Sequence, residues 1–156
     1  RKKTAVAAAA DYFFKSNLAG SATSLLLNTF PFSRGAQVRR SLEYCADLVQ
    51  AGWSILIFPE GTRSVPGQLM VVQRGAANIA IEGNIDLTPV KITCEPSTLT
   101  KNQHWYDIPE RKFVMTLTVL DDIRLQDVLC DDLPRTRAAR KLSDQMKSVL
   151  SQESVE

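Results

Sequence analysis

The sequence predicts an α/β fold in which a mixed sheet is flanked by helices, and three observations carry that expectation. Val38, Leu42, Cys45 and Val49 recur at helical spacing and are followed by Gly52, a residue suited to ending a helix. Ser54 opens a short segment, Ile55-Leu56-Ile57-Phe58, that is continuously apolar, as in a strand covered on both faces. Phe113, Met115, Leu117 and Val119 alternate with Val114, Thr116 and Thr118, the period of a half-buried strand.

The remaining elements follow in order. Val6 to Ala10 reads as a small-residue strand or a helical start, and periodicity does not separate the two. Leu18 to Leu27 is expected to be helical, with Leu25, Leu26 and Leu27 buried. Phe30-Pro31-Phe32 is a short extended segment that turns at Ser33-Arg34-Gly35. A helix is expected from Arg74 or Gly75 to Glu82, closed by Gly83, with a strand from Leu87 to Thr93 after it. Behind Pro134, well placed for a first helical turn, Ala139, Leu142, Met146 and Val149 share one face, while Arg137, Arg140, Lys141 and Lys147 lie elsewhere. Alternating strands and helices give the α/β class.

Bulk properties narrow the function. The 156 residues fit one domain, and 44% hydrophobic with 23% charged residues is an ordinary globular balance. A net charge of +2 does not mark a nucleic-acid binder, so none is expected as a partner. Cys45, Cys94 and Cys130 are widely spaced and form no Cys-x-x-Cys pair, which fits reduced, small core residues. No apolar run approaches the roughly 20 residues that span a bilayer. Arg1-Lys2-Lys3 before an alanine-rich stretch imitates a signal peptide, but Asp11 interrupts it early. Gly-x-Ser-x-Gly, Gly-x-x-x-x-Gly-Lys and Gly-x-Gly-x-x-Gly patterns are all missing from the sequence. The acidic pairs Asp121-Asp122 and Asp131-Asp132 read as solvated loops, so no metal ligands are assigned.

The most informative stretch is Phe58-Pro59-Glu60-Gly61-Thr62-Arg63-Ser64, directly after the apolar strand. Pro59 ends strand pairing because it lacks an N–H, and Gly61 permits a tight turn with exposed amides. A carboxylate, a hydroxyl and a guanidinium then stand together, and the guanidinium's planar fork of donors suits a phosphate. Glu60 either accepts from a glycerol-like hydroxyl or holds Arg63 in place; the alternative is a purely structural pair within the turn.

This stretch resembles the third conserved block of the glycerolipid acyltransferases, the family that esterifies lysophosphatidic acid and related acceptors. The resemblance implies a glycerol-3-phosphate acyltransferase-like fold over residues 1–156, as a single acyltransferase domain. It implies an acceptor site built from Glu60, Gly61, Thr62 and Arg63. Phe30-Pro31-Phe32-Ser33-Arg34 resembles the second block and would bring Arg34 to the acceptor phosphate. Thr88-Pro89-Val90 resembles the fourth. Where many relatives carry Phe-Lys before a glycine, this chain has Val72-Gln73-Arg74-Gly75, so Arg74 would replace the lysine charge one residue displaced. The implied partners are a lysophospholipid acceptor, an acyl thioester donor and a membrane surface. No cofactor is implied beyond acyl-CoA or acyl carrier protein as donor. Gln73 to Ala80 and the segment from Cys94 to Lys101, with Trp105-Tyr106, resemble a bacterial subgroup for which the resemblance implies acyl carrier protein as donor, whereas residues before Phe58 resemble another branch, so the donor stays open.

Catalysis in the resembled family rests on a His-x-x-x-x-Asp block, in which histidine is the general base and aspartate its orienter. His104 is the only histidine, it follows the third block, and Pro109 stands where the aspartate would be. It is read as a surface loop residue, and no catalytic residue is assigned. The first block is expected upstream of Arg1, the domain being truncated at its N-terminus, and the chain as given is expected to be inactive. Peripheral attachment to the cytoplasmic face of a membrane, or anchoring through an upstream segment, is the expected location; Arg1, Lys2, Lys3, Arg34, Arg39 and Arg40 are candidates for touching an anionic leaflet. The competing reading is a non-catalytic phospholipid-binding or interaction module.

Overall fold

The structure is a computed structural model that describes residues 3–9, 24–33, 38–63, 65, 68–101, 103–104, 106–107, 109–129 and 133–151. Its elements are β1 (Lys3–Ala9), β2 (Thr29–Phe32), α1 (Val38–Gln50), β3 (Trp53–Leu56), α2 (Gly75–Gly83), β4 (Val90–Glu95), β5 (Val114–Val119), α3 (Leu125–Val128) and α4 (Arg135–Ser151). Strands β1 to β3 form a parallel sheet in the order β2-β1-β3, with Val6 opposite Thr29 and Lys3 opposite Trp53. The α/β class is as expected, but parallel and antiparallel strands fall into two separate sheets, since among the described residues β4 and β5 pair only with each other.

Strand β1 settles the ambiguity over residues 6–9, Ala10 lying outside the described residues: small side chains make the central strand. Ala5 is buried with Phe30, Leu42, Cys45 and Ile79, and Ala7, Phe32, Trp53, Ile55 and Ile57 pack around them. One face of the sheet is therefore covered by α1 and α2. Along β3 and its extension the exposure alternates, with Ile55 and Ile57 half-buried and Leu56 and Phe58 exposed. The expectation of a strand covered on both faces is corrected. Among the described strands β3 lies at the sheet's edge, and a continuous apolar run does not distinguish that position from a central one.

Helix α1 ends as its sequence requires. Gly52 takes φ +79°, and its amide donates to the Val49 carbonyl at 2.9 Å. At the end of α2 the left-handed residue is Asn84 (φ 48°), whose amide returns to the Ala80 and Ile81 carbonyls, while Gly83 is still helical. The small side chains of α2 serve two cores. Ile79 faces the sheet, and Ala76, Ala77 and Ala80 let α4 approach closely through Ala139, Leu142 and Met146. Arg135 at the start of α4 pairs with Glu82 near the end of α2. The amides of Arg137 and Ala138 donate to the Pro134 carbonyl, so Pro134 opens α4 as expected.

Two other expectations are corrected. Residues 24–27 do form a helical turn, yet Leu25, Leu26 and Leu27 are exposed rather than buried. Strand β4 begins at Val90, because Leu87 instead bridges Ile123 and Pro89 lacks the N–H needed to extend the ladder. Among the described residues no helix is long and apolar enough to cross a membrane.

Candidate functional site

In open parallel sheets, loops at the carboxyl ends of the strands form the crevice where ligands bind. Strand β2 ends there at Phe32, and β3 runs through Ile57 into the Phe58–Arg63 turn at the same end. The start of α2 closes on both. A Cβ added to Gly75 would meet the Phe32 ring at 3.6 Å and Ile57 Cδ1 at 3.9 Å. The Gln73 amide donates to the Pro59 carbonyl at 2.8 Å. Thus the segments carrying the second and third blocks and the Arg74-Gly75 step converge, although they are remote in sequence.

Within the turn, Gly61 adopts φ +67° and its amide donates to the Phe58 carbonyl at 3.0 Å. That closure turns the chain just after Pro59, leaving Glu60 half-buried and Thr62 and Arg63 exposed. Arg74 is exposed immediately before α2, and its carbonyl accepts from the Asn78 amide at 2.9 Å, so the residue opens the helix. A cationic residue at a helix N-terminus, where the dipole is positive, suits an anion shared between the two. Arg34 lies outside the described residues. Its neighbour Ser33 is fixed: the Ser33 amide donates to Ser41 Oγ at 3.0 Å, tying the end of β2 to the first turn of α1.

One relationship was not legible beforehand. Arg63 reaches the loop between β4 and β5, where Nη1 donates to the Gln103 carbonyl at 3.0 Å and Nη2 to the Lys101 carbonyl at 3.4 Å. Carbonyl acceptors carry no side-chain signature, so no residue type could have announced them. His104, in the same loop, is exposed and stacks on Tyr106 with ring centroids 5.0 Å apart. Its amide donates to Asp107 Oδ2 at 2.7 Å. The expected surface-loop position of His104 is what the structure has. No group of acidic, cysteine or histidine side chains among the described residues is arranged to hold a metal ion. In the Thr88-Pro89 segment, Thr88 Oγ1 donates to Asp122 at 2.6 Å, and the carbonyl of the buried Pro89 accepts from the Leu120 amide at 3.0 Å.

Residues 1–93 match the model of the acyltransferase family. The chain belongs to that family. It is 26% identical over 92 residues to a 1-acyl-sn-glycerol-3-phosphate acyltransferase of Chlamydomonas reinhardtii, covering 59% of this chain and 28% of that protein. It is 29% identical over 115 residues to a putative 1-acyl-sn-glycerol-3-phosphate acyltransferase of Caenorhabditis elegans, covering 70% and 36% respectively. The chain therefore spans about a third of these relatives' length. The crystal structure of the 1-acyl-sn-glycerophosphate acyltransferase PlsC from Thermotoga maritima superposes with a TM-score of 0.53 at 15% identity, covering 99% of this chain and 68% of that one. That likeness shows the shared fold. Together these matches bear out the glycerolipid acyltransferase resemblance carried by Phe58 to Ser64.

Proposed function

We propose that the protein containing this chain transfers a fatty acyl group from acyl-CoA or acyl carrier protein to the free hydroxyl of lysophosphatidic acid or a related lysophospholipid. The observation that carries the proposal is the convergence of the Phe58–Arg63 turn with the start of α2 and the end of β2, through the Gln73-to-Pro59 hydrogen bond and the contacts around Gly75. Glu60, Gly61, Thr62, Arg63 and Arg74 hold and orient the acceptor head group, together with Arg34 from the second block. The guanidinium and helix N-terminus supply positive potential for the phosphate, and Glu60 accepts from a hydroxyl. In the reaction the acceptor hydroxyl forms an ester bond to the acyl carbonyl, the thioester C–S bond breaks, and the hydroxyl proton passes to a base. The family's His-x-x-x-x-Asp block supplies that base; this chain supplies acceptor binding. The substrates are amphipathic, so the site works at a membrane surface.

Calorimetric titration with lysophosphatidic acid tests this. The 156-residue chain is expected to bind it, and Glu60→Gln with Arg74→Gln to weaken binding about tenfold, as loss of charged hydrogen-bond partners does. Thioester-dependent turnover by the 156-residue chain is expected to lie about 10² to 10⁴ below that of a family member carrying the His-x-x-x-x-Asp block, the usual consequence of lacking a general base. Binding unaffected by the double substitution would overturn the assignment, and near-normal turnover would overturn the division of labour.

A further inference from the structure

Arg63 is resolved in a role that acceptor binding alone does not require. A guanidinium has five N–H donors in a rigid planar fork. Two of its nitrogens point at backbone carbonyls of one short loop stretch, Lys101 and Gln103. That stretch is itself closed: the Gln103 side-chain oxygen accepts from the Thr100 amide at 2.9 Å and from the Thr100 hydroxyl at 3.2 Å, and the Gln103 amide returns to the Thr100 carbonyl at 3.1 Å. The carbonyls therefore belong to a turn that has hydrogen bonds of its own, and Arg63 adds two more from outside it. Leu99, just before it, adopts the left-handed φ of +57°. Lys101 and His104 are exposed on the stretch that Arg63 grips.

We propose that Arg63 is a positioning residue that fastens the β4–β5 loop onto the Phe58–Arg63 turn, so that Lys101 and His104 form one wall of the acceptor site and favour a phosphate monoester head group. The inference rests on the acceptor-site reading of that turn. Its chemistry is economical: with two donors committed to the loop, the other N–H groups of Arg63 remain for the anion, so one guanidinium both builds the wall and meets the ligand. Lysine at this position keeps the charge and loses the fork.

Hydrogen exchange on the protein tests the fastening without reference to turnover. Arg63→Gln and Arg63→Lys are both expected to raise amide exchange across residues 98–104 about fivefold, the scale of losing an exposed hydrogen-bonded contact. Gln103→Ala, which opens the turn and leaves Arg63 in place, is expected to do the same. It is further expected to raise KM for lysophosphatidic acid severalfold with kcat and the donor KM unchanged, and to lower the preference for lysophosphatidic acid over lysophosphatidylglycerol. Unchanged exchange in both Arg63 variants would overturn the fastening. Faster exchange in Gln103→Ala with neither acceptor KM nor preference altered would overturn the wall. If the unsubstituted protein fails to bind lysophosphatidic acid while exchange still responds to Arg63, the fastening stands and the acceptor reading falls.

Discussion

The Gln73 amide and the Pro59 carbonyl meet at 2.8 Å, and this bond fixes the start of α2 against the motif turn. Directly beyond it, Gly75 sits over Phe32 and Ile57 at ordinary contact distance for a Cβ. A methyl group therefore fits, and Gly75→Ala is expected to leave stability unchanged or raise it by up to about 1 kcal/mol through helix propensity. Gly75→Leu has no such room. It is expected to push α2 off the strand ends, costing about 1–3 kcal/mol as overpacking does. Urea denaturation of the two variants separates these outcomes.

Gly61 is a different case, because its φ of +67° is the constraint. Gly61→Ala is expected to cost about 1–2 kcal/mol, the penalty of a left-handed conformation for a residue with a Cβ. The turn relieves that strain by reopening the Gly61-to-Phe58 hydrogen bond, which displaces Arg63 from the β4–β5 loop. Lysophosphatidic acid affinity should fall together with stability. Retained affinity in a destabilised Gly61→Ala protein would mean that the turn's shape is not what holds the ligand.

In the second core, Leu142 is 1% exposed and packs among Ala76, Ala77, Ala80, Val128 and Met146. The alanines across the interface hold the helix backbones close and leave little side chain able to fill a void. Leu142→Ala is thus expected at the upper part of the range of about 2–5 kcal/mol for such truncations. The midpoint of thermal or urea unfolding measures it.

Periodicity made α1 and α4 legible because each helix has one buried face, and Gly52 and Pro134 mark their limits by backbone chemistry. The motif turn was legible because proline, glycine and two opposite charges in sequence have few structural uses. What could not be read is where a face goes once formed. Leu25, Leu26 and Leu27 have the composition of a core and are exposed. Strand β5 has the predicted alternation, and its register places Val119, Leu117 and Met115 opposite Val90, Ile92 and Cys94 on one apolar face; none of the six β5 residues is covered. Alternation reports that a strand has two unlike faces, and tertiary arrangement decides whether either is buried. Arg63 shows the same limit at the site, since its partners are carbonyls 38 and 40 residues away.

Cys45 provides a test of the first core through pH. The side chain is fully buried beneath the sheet, and burial pushes its thiol up from 9.0 to about 11. Between those values the unfolded chain releases the proton and the folded chain keeps it, so the folded state binds more protons and stability falls as pH rises. The contribution is complete below pH 9 and lost as pH climbs through about 11. A variant without the thiol isolates this contribution. Cys45→Ala is expected to be less stable than the parent at pH 8, because it leaves a small cavity, and to lose less stability between pH 8 and 10.5. Urea midpoints of both proteins across that range measure the difference in slope. Parallel curves would mean that the thiol meets water often enough to ionise, and that α1 does not seal the sheet at Cys45.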